Sequence, residues 1–135
     1  MREDRTLRSV RFLQAVSKAK RSGMTCPDAL LEAYREELGE QYPAAITLAE
    51  RMPEELNEPD LCEVFATAFA IIATLTGSGD SFWEAVSHMR KEYSGNGCGS
   101  DGKETPLCNV RMKDSVLLIE WARSRWEREL ERKYA

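Results

Sequence analysis

Residues 61–76 read Leu-Cys-Glu-Val-Phe-Ala-Thr-Ala-Phe-Ala-Ile-Ile-Ala-Thr-Leu-Thr, and no charged residue follows Glu63 until Asp80. The apolar positions keep neither a two-residue period nor a clean 3.6-residue one. A helix that is apolar all round is a buried helix. The run is too short, and too closely flanked by Glu58, Asp60 and Glu63, to span a bilayer, which takes about 20 apolar residues. Ala66, Ala68, Ala70 and Ala73 let neighbouring helices approach, and Phe65, Phe69, Ile71, Ile72 and Leu75 fill the space between them. The fold expected from this stretch is all-α: a single-domain bundle of five or six helices around a buried central helix at about residues 60–76.

The rest of the chain is consistent with that centre. A length of 135 residues matches one domain, and 42% hydrophobic with 31% charged residues suffices for a core under a charged surface. Nothing alternates at period two, so a sheet is not expected. The net charge of −4 is unevenly laid out. Residues 1–22 carry seven Lys/Arg against two Asp/Glu, residues 23–104 five against sixteen, and residues 105–135 seven against five. Basic ends around an acidic middle either attract each other within the fold or mark a surface for an anionic partner.

Residues 4–22 predict a first helix whose apolar face is Val10, Leu13 and Val16, widened by Phe12. Arg8, Arg11 and Lys18, with Ala15 between the last two, form a basic stripe on another face. Such a stripe suits phosphate contacts, and it is also the usual look of a solvated helix face. Thr25 is the expected N-cap of a second helix running to about Leu38, with Pro27 in its first turn, Asp28 as a capping-box acid and Gly39 as its stop. Tyr42-Pro43 opens a third helix that Pro53 closes or turns. Pro59 and Asp60 suit the first turn of the central helix, where negative charge meets the positive end of the dipole.

Gly77-Ser78-Gly79 ends the central helix. Asp80 at this turn repels an anion, and no Lys-Ser/Thr follows, so the glycines are read as a C-cap rather than a phosphate cradle. Ser81 and Glu84 form an expected capping box for a helix with Phe82, Val86, Met89 and Tyr93 on one face. Residues 94–104 hold four glycines and are expected to be a flexible loop within the one domain, residues 1–135. A last helix begins near Thr105-Pro106 or Asn109. It is broadly apolar to Ala122 and then narrows to Trp126 and Leu130 among charges.

Chemistry-bearing residues are sparse. His88, Cys98 and Cys108 are separated by nine residues at each step, without the close pair that usually supplies two ligands from one turn. No metal or cofactor is therefore expected, and a Cys98–Cys108 disulfide closing the glycine loop remains an alternative. No export signal follows Met1, and the C-terminal Arg-Lys-Tyr-Ala matches no lipidation motif. With four cysteines (Cys26, Cys62, Cys98, Cys108), these features predict reduced thiols in a cytoplasmic protein with no membrane partner. Glu63 and Glu120 are the acids inside apolar runs. The helix dipole accounts for Glu63, and Glu120 is expected to face out or pair with Arg123.

No catalytic residue emerges from this pattern. The leading expectation is a small intracellular, non-enzymatic interaction or adaptor subunit. It docks on a protein partner, or on a second copy, through Trp121, Trp126 and Leu130 of the C-terminal helix. The alternative is a nucleic-acid-associated subunit of a larger complex, touching phosphates through Arg8, Arg11, Lys18, Arg123, Arg125 and Arg128. A third class is a metal or thiol site built on His88 and the cysteines.

Overall fold

Asp4 opens the first helix by accepting a hydrogen bond from the Thr6 backbone at 2.8 Å, one of the amide donors that a helix start leaves without a partner. The computed structural model describes residues 4–92 and 106–134. The expected loop at 94–104, Tyr93 and Cys98 lie outside the described residues. The helices are α1 (Arg5–Arg21), α2 (Cys26–Ala33), α3 (Arg35–Leu38), α4 (Tyr42–Glu55), α5 (Glu63–Thr76), α6 (Asp80–Glu92) and α7 (Pro106–Tyr134), with a short 3-10 turn at Gly39–Gln41. There is no strand among the described residues, and the architecture is the expected all-α bundle.

The centre is where the sequence puts it. Every residue of α5 from Val64 to Ala73 is buried, and α5 packs against α2, α3, α4, α6 and α7. Its threonines are satisfied within the helix: Thr67, Thr74 and Thr76 donate to the carbonyls of Glu63, Ala70 and Ile72, each at 2.8 Å. The helix stops at Gly77, whose φ of 77° is open to glycine without strain. Its start differs from expectation. Pro59 and Asp60 belong to the preceding turn, and Glu63 is the acid in the first turn of the helix.

That displacement follows from how α4 ends. Pro53 sits inside α4, two residues before its end, so it neither closes the helix nor starts a turn. Asn57 then takes the left-handed conformation (φ 54°), with Asn57 N donating to Glu54 O at 3.1 Å and Glu58 N to Pro53 O at 2.8 Å. This is a Schellman cap with asparagine where glycine is usual. Arg90 of α6 pairs with Glu58 and donates to Leu56 O at 3.1 Å, tying the turn down. The connector is therefore occupied in capping α4 up to Glu58, and α5 begins only after it.

Two further expectations are corrected. The second helix does not run through to Leu38. It yields at Tyr34 (φ −101°, ψ 5°), whose ring stacks on Phe12 of α1 at 4.1 Å and whose hydroxyl is held by α7. At α6, Ser81 is not an N-cap. The helix already includes Asp80, and the Ser81 side chain is buried with no hydrogen-bond partner among the described residues. The Thr25 cap is formed as expected, accepting from Asp28 N at 3.3 Å.

Candidate functional site

The face of α1 that enters the bundle keeps Phe12, Val16 and the partly buried Leu13 of the expected apolar side, but it takes in Arg8 and leaves Val10 outside. Its buried residues are Arg8, Ser9, Phe12, Val16 and Ala19, while Val10 is 46% exposed and Leu7 64%. The cause lies on α7. Glu120 is fully buried there, so it does not face out. It accepts from Arg8 Nε, from the Tyr34 hydroxyl at 2.7 Å and from Arg123 at 3.2 Å. Arg8 also donates to Glu127 at 2.7 Å, and Arg123 to Glu37 at 2.9 Å. A buried carboxylate without partners is costly, and a well-bonded one ties its elements together. This cluster joins α1, α2, α3 and α7.

Protonation in the cluster follows from its geometry. Burial pulls the Arg8 guanidinium toward its neutral form, but the hydrogen bonds and charges of Glu127 and Glu120 outweigh that, and its pKa is raised. Burial also pushes the Tyr34 phenol well above its ordinary value, and the nearby charge and hydrogen bond of Glu120 push it further. The charges of Arg123 and Arg8 oppose this in part. Tyr34 therefore stays a protonated donor to Glu120.

The basic candidates are split by this arrangement. Arg8, expected at a phosphate-contacting surface, is 5% exposed and committed to acids inside the bundle, because Glu120 draws it inward. Arg123 is likewise held between Glu37 and Glu120. Arg125 pairs with Glu84 of α6 at 2.5 Å and Glu129 at 3.3 Å. Arg11, Lys18 and Arg128 are exposed, with the Arg11 guanidinium 4.5 Å from the centre of the Phe12 ring. The first and last helices do pack together, but their meeting buries charge rather than merging it into one basic surface.

A cavity of about 450 Å³ opens among α1, α5, α6 and α7. Phe65, Met89, Leu117, Leu118 and Trp121 give it apolar walls, and Arg5, Ser9, His88 and Asp114 contribute the polar groups. His88 is exposed at this cavity. Among the described residues no group of three or more His, Cys, Asp and Glu could hold a metal ion. Cys26 and Cys62 are buried thiols, and the Lys20 ammonium lies 3.1 Å from Cys26 Sγ. The side chain of Cys108, like Cys98, lies outside the described residues. No described helix is long and apolar enough to cross a membrane.

The three expected interaction residues do not act as one stripe. Trp121 packs on the core and lines the cavity. Trp126 stands about 140° further round the helix, at roughly 3.6 residues per turn, so the two rings face different neighbours. Trp126 and Leu130 are four residues apart on one side of α7, both half-buried and outside the core cluster. The pairing of Glu120 with Arg123 was legible in the sequence, but its partners Arg8 and Tyr34 were missed because they lie 112 and 86 residues away in the chain. The signal that was present is an acid set among Val116, Leu118, Ile119 and Ala122. No protein family, curated protein or solved structure matches this chain.

Proposed function

We propose that this protein is a non-enzymatic interaction subunit that docks on a protein partner, a second copy of itself included, through the C-terminal half of α7. One observation carries the reading. From Arg111 to Ala122 most residues of α7 are buried, whereas from Arg123 to Lys133 none is. Trp126 and Leu130 nevertheless keep an apolar i,i+4 stripe in that second half. Large apolar side chains at this spacing, without full cover from their own bundle, are the anchors with which a helix packs on another helix. The flanking residues are charged and of both signs, which suits the polar rim of such a contact.

The test is the mass of the purified protein by light scattering, for the wild type and for Trp126→Ala and Leu130→Ala. The reading expects an oligomer whose dissociation constant rises tenfold or more in each variant while helix content is unchanged, a change of about 1.4 kcal/mol. An oligomer indifferent to both changes places the contact elsewhere and sinks the surface. A wild type that is monomeric at every concentration removes the second copy as the partner.

A further inference from the structure

The cavity among α1, α5, α6 and α7 is separate from that stripe, since neither Trp126 nor Leu130 lines it. Its volume of about 450 Å³ falls in the range of small-molecule sites, roughly 300–1,000 Å³. Phe65, Met89 and Leu118, 2%, 4% and 9% exposed, close its floor, and the partly buried Trp121 with Leu117, 42% exposed, offers the accessible apolar surface. Aromatic rings pack well against such a set, through ring edges and faces and through the thioether sulfur.

The polar groups are arranged with a sign. Arg5 and Ser9 are one turn apart on the same side of α1 and both line the cavity. Ser9 is 6% exposed, and among the described residues neither it nor Arg5 takes a side-chain partner. Asp114, the acid in the lining, already holds an interaction within the protein. The groups left to meet a ligand are Arg5 and the exposed His88, and of the two the Arg5 guanidinium carries a permanent charge on a planar fork that suits a carboxylate.

We propose that this cavity binds a small aromatic carboxylate. The ring lies against Trp121 and Leu117, over the floor of Phe65, Met89 and Leu118. The carboxylate accepts from the Arg5 guanidinium and from the Ser9 hydroxyl. The apolar walls supply most of the affinity, and Arg5 with Ser9 fixes the orientation and selects the anion.

The experiment uses the full chain and 3-phenylpropionate, with 3-phenylpropionamide as the uncharged twin, followed by calorimetry and by NMR shifts of the Met89 and Leu118 methyl groups. The expected dissociation constant is about 1 mM or tighter, as suits so few heavy atoms. The amide is expected to bind at least tenfold more weakly. Arg5→Gln, at an exposed position, is expected to lose the same factor for the acid without a change in melting temperature, and Ser9→Ala a few-fold. Trp126→Ala is expected to leave the affinity unchanged, which separates this site from the docking stripe. Equal binding of acid and amide, an Arg5→Gln chain that binds like the wild type, or no binding at about 10 mM overturns the proposal.

Discussion

Arg8 of α1 donates to Glu120 of α7, and the two side chains keep only 6% and 0% of their exposure. The contact joins residues 112 positions apart and sets the rotation of α1 about its own axis. With Arg8 inside, Phe12, Val16 and Ala19 follow it into the core, and Leu7 and Val10 are left outside. Two exposed apolar side chains cost less than one buried, unpaired carboxylate.

Breaking the pair from one side is expected to be expensive. Arg8→Ala leaves Glu120 buried with fewer donors and should cost about 3–5 kcal/mol in urea denaturation. Arg8→Met with Glu120→Leu and Tyr34→Phe removes both charges and the hydroxyl that Glu120 accepts from, and should recover most of that loss. An Arg8→Ala chain as stable as the wild type would show that the charge is not committed to the core. By contrast, Arg11→Ala, Lys18→Ala and Arg128→Ala at exposed positions should each stay within about 0.5 kcal/mol.

Tyr34 gives the cluster a signature at high pH. Its phenol is held protonated by burial and by Glu120. Below about pH 10 both the folded and the unfolded chain carry that proton, so it adds no pH dependence. Above that, the unfolded chain releases the proton while the folded chain keeps it, and stability falls as pH rises toward the folded value. Tyr34→Phe should be less stable by about 1–3 kcal/mol at neutral pH, because Glu120 loses a donor. Its alkaline decline should be shallower by up to about 1.4 kcal/mol per pH unit. Denaturation midpoints measured between pH 8 and pH 11 for both proteins test this, and parallel curves would contradict it.

These residues also show what the sequence could and could not reveal. The centre was legible because α5 is apolar on every side, a property that needs no knowledge of its neighbours. The Thr25 cap and the Gly77 stop were legible because they are written within four residues. The burial of Arg8 in place of Val10, the break at Tyr34 and the start of α5 were not. The first two depend on partners distant in the chain, Glu120 for Arg8 and Phe12 with Glu120 for Tyr34, and the third on an asparagine in the left-handed cap position where glycine is the usual signal. The cavity has four helices contributing to it, so no single stretch announces it. Trp121 and Trp126 look alike in the sequence, and only the angle between them around α7 separates a cavity wall from an open stripe.

Asn57 offers a gain rather than a loss. Its φ of 54° lies in the left-handed region, where a side chain carries strain that glycine does not. It caps α4 at an exposed position, so little packing is at stake. Asn57→Gly is expected to be neutral or stabilising by up to about 1 kcal/mol, and Asn57→Val to destabilise by about 1–2 kcal/mol. In thermal melts Asn57→Val should fall below the wild type and Asn57→Gly should not. If Asn57→Val melts with the wild type, the Schellman cap does not form in solution.

The centre of the bundle has its own test in the small residues of α5. Ala68 and Ala70 are fully buried, and α4 and α7 are the helices most closely applied to α5. Where helices approach over alanine, extra carbon has nowhere to go. Ala70→Leu should therefore destabilise by about 1–3 kcal/mol through overpacking, although leucine is the more hydrophobic residue and a good helix former. Phe69 packs between Phe65 at 6.4 Å and Phe82 at 6.2 Å, and Phe69→Ala should cost about 3–5 kcal/mol by leaving a cavity. The two changes err in opposite directions, one too large and one too small, and both should lower the denaturation midpoint. If Ala70→Leu raised it instead, hydrophobicity and helix propensity would outweigh fit at that position, and α5 would not be the close-packed axis on which the other helices rest.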